Sequence, residues 1–172
     1  MSHSKLNPHP RLYITADHLQ RLHMPAANSA LEAAEKIVRA DAQRLLGELS
    51  ITVSEGQHNW HLLRARAMQR NVLALLTEFI RTGDARFRDA VLACVKQMAE
   101  WEYWSWITWR KGDARPEAIF DLSYGENSTT LAVAFDLLVE TLNEAERNLF
   151  VQTAQRRAFK PYLERNGGKT QD

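Results

Sequence analysis

The sequence predicts an all-α protein, and three observations predict it. Glycine and proline are scarce and clustered, seven and five in 172 residues, which leaves long uninterrupted stretches. Within those stretches apolar residues recur at three- and four-residue spacing, the period of a helix with one buried face. Residues that cap helices, such as Thr15, Asn28, Asp84 and Asn143, stand where those stretches begin.

Residues 1–14, broken by Pro8 and Pro10, read as an extended lead-in. Thr15 caps a short helix from Ala16 to His23, which stops before Pro25. Asn28 or Ser29 opens the next helix, to about Leu49, with Leu31, Ala34, Ile37, Val38, Ala42, Leu45 and Leu49 on its buried face. A polar connection around Gly56 leads to a long helix from about Trp60 to Thr82. Its apolar residues Leu62, Leu63, Met68, Val72, Leu75, Leu76, Phe79 and Ile80 cover more than one stripe.

Gly83 ends that helix, because glycine takes the left-handed C-terminal conformation without a Cβ penalty. Asp84 caps the next, to about Trp101, which buries Phe87, Val91, Val95 and Met98. So short a break folds the two back as an antiparallel helical hairpin. Residues 102–125 carry no helical period. Helix resumes from about Glu126 to Leu142, burying Leu131, Val133, Ala134, Phe135, Leu137 and Leu138. Asn143 with Glu146 forms a capping-box pattern for a last helix to about Arg165, with a bend at Pro161. The whole reads as a single all-α domain over residues 1–172, with 166–172 as a polar tail.

Composition excludes several function classes. Hydrophobic residues make up 45% and charged residues 25%, so wholesale disorder is excluded. With 22 Lys+Arg against 21 Asp+Glu, the chain lacks the basic excess of a phosphate-backbone binder, so no nucleic-acid partner is expected. No run approaches the roughly 18 apolar residues of a membrane span, so no membrane partner is expected either. Cys94 stands alone, which rules out an internal disulfide framework and a cysteine-rich zinc site. The stretch Met1 to Pro8 lacks an apolar signal core. The expectation is a cytoplasmic chain, or a periplasmic or secreted one if a signal sequence has been replaced.

Two segments hold the candidate chemistry. Trp101, Tyr103, Trp104, Trp106 and Trp109 form an aromatic run whose flat rings either stack on sugar faces or pack the loop onto the helices. Arg110 and Lys111 follow, and can recognise an acidic ligand or simply be solvated. Asp121, Ser123, Tyr124, Glu126, Asn127 and Ser128 cluster just before a predicted helix, where free N–H groups attract anions. Tyr124 could serve as acid or base if a cation lowered its pKa, and the alternative is an ordinary capped helix start. His58 and His61 are spaced by three with no evident third ligand, so neither a metal nor any other cofactor is expected. A Gly-rich phosphate loop, a G-x-S-x-G elbow and an H-E-x-x-H motif are all missing, so no catalytic residue is assigned.

Several stretches together resemble the N-terminal helical part of heparinase II/III-like and alginate-lyase-like polysaccharide lyases. His9-Pro10-Arg11-Leu12-Tyr13-Ile14-Thr15 is similar to that family's HPRL-x-x-T opening. Arg81-Thr82-Gly83-Asp84-Ala85-Arg86-Phe87 is similar to its TGD-x-R-Y turn. Leu131-Ala132-Val133-Ala134-Phe135-Asp136-Leu137-Leu138 resembles its A-x-x-YD-x-L helix, with Phe135 in place of tyrosine, and the Leu142 to Arg147 turn also fits.

The resemblance spans nearly the whole chain in order. It implies an (α/α) incomplete toroid whose hairpins surround a groove, and a chain that is the front of a longer enzyme. That enzyme would cleave a uronate-containing polysaccharide by β-elimination. The family's catalytic asparagine, tyrosine and histidine would lie beyond this chain, which alone would be inactive. The expected partner is an acidic polysaccharide or oligosaccharide, held by Trp106, Trp109, Arg110, Tyr124 and Asn127. Apolar flanks left by a partial toroid would also favour self-association. The competing expectation is a non-catalytic helical domain that binds a glycan or a protein.

Overall fold

The computed structural model describes residues 7–51, 53, 54, 56, 59–105 and 120–165, and all its regular structure there is helical. Helix α1 spans Ala16–Arg21, α2 Ser29–Gly47, α3 Trp60–Thr82, α4 Ala85–Glu100 and α5 Leu122–Leu138. A 3-10 turn, Val139–Thr141, leads into α6, Glu144–Thr153. A π-helical segment, Ala154–Phe159, then continues into α7, Lys160–Arg165.

Helix α3 occupies the centre, packed by α2, α4 and α5. That position explains its wide apolar coverage, since a helix surrounded by others has no broad solvent face. Met68, Val72, Leu75 and Leu76 of α3 meet Ala42 and Leu45 of α2, Phe87, Val91, Val95 and Met98 of α4, and Leu131, Ala134 and Leu138 of α5. Glu78 is also buried on α3, and Arg81 one turn on donates to both its oxygens at 2.9 and 2.6 Å. Gly83 closes α3 at φ 71°, and the Asp84 carboxylate accepts from the Arg86 amide at 3.0 Å to open α4. Phe87 is buried as expected, whereas Phe79 is only partly buried. Cys94 lies inside the core, where burial pushes its thiol up to about 12. It therefore stays protonated at neutral pH and is a packing residue rather than a nucleophile.

Four expectations change. The face of α2 is buried only in its second half. Ala42 and Leu45 are in the core, while Leu31 and Ile37 are 50% and 65% exposed, because α2 meets its neighbours only near its C-terminal end. Helix α5 starts at Leu122, not near Glu126, with the Asp121 carboxylate accepting from the amides of Ser123 and Tyr124 at 2.9 and 3.2 Å. The polar cluster predicted to precede this helix therefore forms its first two turns. Helix α5 also ends at Leu138, so the 3-10 turn takes up residues expected to extend it. Finally, the last helix changes register through the π-helical segment just ahead of Pro161. Proline has no N–H to donate and its ring crowds the carbonyl four residues back, so the ladder upstream cannot stay regular.

The capping box at Asn143 forms as expected. The Glu146 amide donates to the Asn143 side chain at 3.0 Å, and the Asn143 amide donates to the Glu146 carboxylate at 2.9 Å. Arg88 of α4 reaches the same carboxylate and donates to the Thr141 carbonyl at 2.9 Å, tying α4 to the start of α6. Its hydrogen bond is the main reason the Glu146 carboxyl lies below its ordinary value.

Candidate functional site

The first site is built on the start of α5 and the segment after α4. Ser123 and Asn127 stand one turn apart on α5, so both face the same way. Both are buried, at 0% and 1% exposure. The Asn127 amide donates to the Trp104 carbonyl at 3.3 Å, and the Trp104 indole donates to the Met98 carbonyl at 2.9 Å. Residues 101–105 are thereby clamped between the end of α4 and the start of α5. The side-chain oxygens of Ser105, Ser123 and Asn127 are buried here with no hydrogen-bond partner among the described residues. Buried polar atoms without partners are rare, and they mark places where a water or a ligand hydroxyl can bind.

Arginines line the rim. The Arg64 guanidinium lies 4.0 Å from the Trp101 ring and 4.9 Å from the Trp60 ring. It donates to the Tyr103 carbonyl at 2.6 Å and to His61 Nδ1 at 3.1 Å. From the π-helical segment, Arg157 donates to the carbonyls of Glu102 and Ala99 at 2.7 and 3.0 Å, and Arg156 also reaches the Ala99 carbonyl. Arg156 and Arg157 at the Ala99 carbonyl satisfy the end of α4, whose last C=O groups lack helical partners. Burial, followed by the neighbouring Arg156, draws the Arg157 guanidinium below its usual value. Burial first, then the charge of Arg64, lowers His61 to about 4. His61 is therefore neutral at pH 7 and accepts the Arg64 hydrogen bond.

Of the five sequence-predicted binding residues, Trp106, Trp109 and Arg110 lie outside the described residues, as do Lys111 and His58. Tyr124 and Asn127 lie one turn apart. The Tyr124 hydroxyl donates to the Ala158 carbonyl, and its ring meets Phe120 edge-on at 5.0 Å. Burial, then Tyr162, raises the Tyr124 hydroxyl, the opposite direction from what a general base needs. Asn127 holds the backbone with its amide nitrogen and keeps its oxygen uncommitted.

A second site assembles residues that carry the family resemblance but received no role from the sequence. The Asp136 carboxylate on α5 is 4% exposed. It accepts the Arg11 amide at 2.9 Å, the Leu12 amide at 2.9 Å and a hydrogen bond from His9 Nδ1. Burial alone would raise its pKa, but the bonds from Leu12, His9 and Arg11 outweigh burial and hold the carboxyl below the usual range. Beside it lies a cavity of about 520 Å³ with a mainly apolar lining that includes Leu12, Leu131, Phe135, Phe150 and Ala158. A sequence signal did exist: one carboxylate inside the apolar run from Leu131 to Leu138 requires donors from elsewhere.

Among the described residues, no group of three or more His, Cys, Asp or Glu is arranged to hold a metal, and no helix is long and apolar enough to cross a membrane. No protein-family model matches the chain, and no curated protein matches it significantly.

Proposed function

We propose that this chain is the α-toroid portion of a polysaccharide-lyase-like protein, built from antiparallel helical hairpins, that acts on uronate-containing glycans by β-elimination when complete. The observation that carries this reading is the meeting of two resembling motifs at one atom group. The His9-Pro10-Arg11-Leu12 stretch and Asp136 of the Phe135-Asp136 pair are more than a hundred residues apart in sequence, yet they share one buried set of hydrogen bonds. A shared structural purpose gives those two motifs a reason to occur together.

The start of α5 supports the ligand class. Uncommitted buried oxygens on Ser105, Ser123 and Asn127 suit a ligand rich in hydroxyl groups, and the rim of Arg64, Arg156 and Arg157 suits one that carries carboxylates. Trp106, Trp109 and Arg110 would extend this surface by ring stacking and by bidentate pairing with a uronate. The isolated chain is expected to be inactive.

Elimination leaves an unsaturated uronate that absorbs in the near ultraviolet, so activity is read directly. Full-length protein should generate this absorbance on alginate, heparan or pectic oligomers, while residues 1–172 alone should not. Absorbance growing with the isolated chain would refute its assigned inactivity. Absence of product from the full-length protein on all three would remove the lyase reading. Trp106→Ala or Trp109→Ala in the full-length protein should weaken oligosaccharide binding by about 1–3 kcal/mol, if stacking on sugars resembles stacking on bases.

A second reading, a non-catalytic domain that binds a partner, is favoured by the open half of α2. There Leu31 and Ile37 lie exposed on one helix. Titration with sugar oligomers that shows binding without any product would support it.

A further inference from the structure

We propose that residues 7–15 form a strap latched by Asp136 over the apolar cavity beside α5, and that releasing this single carboxylate opens the cavity without unfolding the helical core.

The strap is fastened differently at its two ends. At its C-terminal end it runs into α1, where Ile14, Leu19 and Leu22 surround a cavity of about 200 Å³ together with Leu73, Leu76 and Ile80 of α3 and Leu137 of α5. That attachment is apolar. At its other end the amides of Arg11 and Leu12 and the imidazole of His9 all converge on the Asp136 carboxylate. The large side chains of the strap contribute little burial to this end. Leu12 is 53% exposed and Tyr13 73% exposed, so the polar contacts with Asp136 carry the attachment. The Arg11 guanidinium turns away from Asp136 and donates to the Asn7 carbonyl at 3.1 Å.

The latch and the cavity share residues. The His9 ring stands edge-on to Phe135 at 6.2 Å, and Phe135 in turn meets Phe150 at 5.5 Å. His9, Arg11 and Leu12 supply one wall of the 520 Å³ cavity, while Leu131, Phe135, Phe150 and Ala158 supply much of the rest. When the carboxylate lets go, the imidazole that covers Phe135 leaves with it, and the apolar floor opens to solvent. The latch bonds run from His9, Arg11 and Leu12 to Asp136 on α5, so breaking them removes no contact between α3 and α4.

Amide hydrogen exchange on the full chain tests this, with Asp136→Asn and His9→Gln as variants and the amides of α3 and α4 as the internal reference. Asp136→Asn should speed exchange at the Arg11 and Leu12 amides at least tenfold, leave α3 and α4 unchanged, and raise the fluorescence of added 8-anilinonaphthalene-1-sulfonate. Unprotected Arg11 and Leu12 amides in the parent chain would overturn the latch. So would a rise in exchange across α3 and α4 as large as that in the strap. If Asp136→Asn does not fold, His9→Gln decides, because it leaves the carboxylate in place. Several-fold faster strap exchange over an unchanged core supports the latch, and unchanged strap exchange overturns it.

Discussion

Helices α3 and α4 meet through Met68, Val72, Leu75, Phe87, Val91, Val95 and Met98, whereas α5 is also tied down through Asn127, Tyr124 and Asp136. In the first region each buried side chain contributes roughly 1.5–3 kcal/mol by leaving water. In the second, each hydrogen bond adds only about 0.5–1.5 kcal/mol net, but leaving a buried partner unmade costs about 1–3 kcal/mol. Apolar burial therefore supplies most of the stability. The polar contacts decide where the segments at 7–15 and 101–105 lie. Non-directional forces suffice for a scaffold, and directional ones are needed where backbone that is not helical must be held at one place.

The largest expected effect lies in the first region. Phe87→Ala should destabilise the chain by about 3–5 kcal/mol in a denaturant titration, as for other large-to-small core changes. Phe79→Ala should cost clearly less, because Phe79 is only partly buried. Equal losses at the two positions would break the assignment of Phe87 to the core between α3 and α4.

The second region predicts a smaller and more local loss. Trp104→Phe keeps an aromatic ring but removes the donor to the buried Met98 carbonyl, and should cost about 1–3 kcal/mol. Exchange at Trp101 to Ser105 should rise more than exchange in α3. A uniform rise would mean that this segment is part of the core unit.

Acid sharpens the contrast further. The folded-state pKa of Glu146 lies below its ordinary value of 4.5, mainly through its hydrogen bond from Arg88. The stabilisation is present above that ordinary value and is lost as pH falls below it through the depressed folded value. Melting temperature should therefore drop on acidification across this window, and Arg88→Met should flatten that dependence. An unchanged slope would show that other carboxylates dominate.

The smallest effect belongs to α2. Ile37→Ser, at a 65% exposed position, should change stability by no more than about 0.5 kcal/mol. The same variant read by sedimentation tests self-association. A parent chain that sediments as a dimer and an Ile37→Ser chain that does not would place this open face in a self-contact.

Local composition and spacing suffice for the helical class, the bounds of α3 and α4, and the caps at Asp84 and Asn143. Those features depend on local preferences and on a period of apolar residues that repeats within one segment. The true start of α5 was harder to read. Ser123, Gly125, Asn127, Ser128 and Thr130 are weak helix formers, and the segment is helical because Asp121 caps it and the apolar residues Leu131, Ala134 and Leu138 further along α5 pack into the core. That half of the α2 face stays open depends on packing between helices, since periodicity marks which face is apolar but not how far a neighbour extends along it. Only the tertiary structure brought His9, Arg11 and Leu12 to Asp136, and Asn127 to Trp104. Such contacts join residues far apart in the chain, and a carboxylate or a carboxamide in a helix carries no mark of which distant donor or acceptor it will meet.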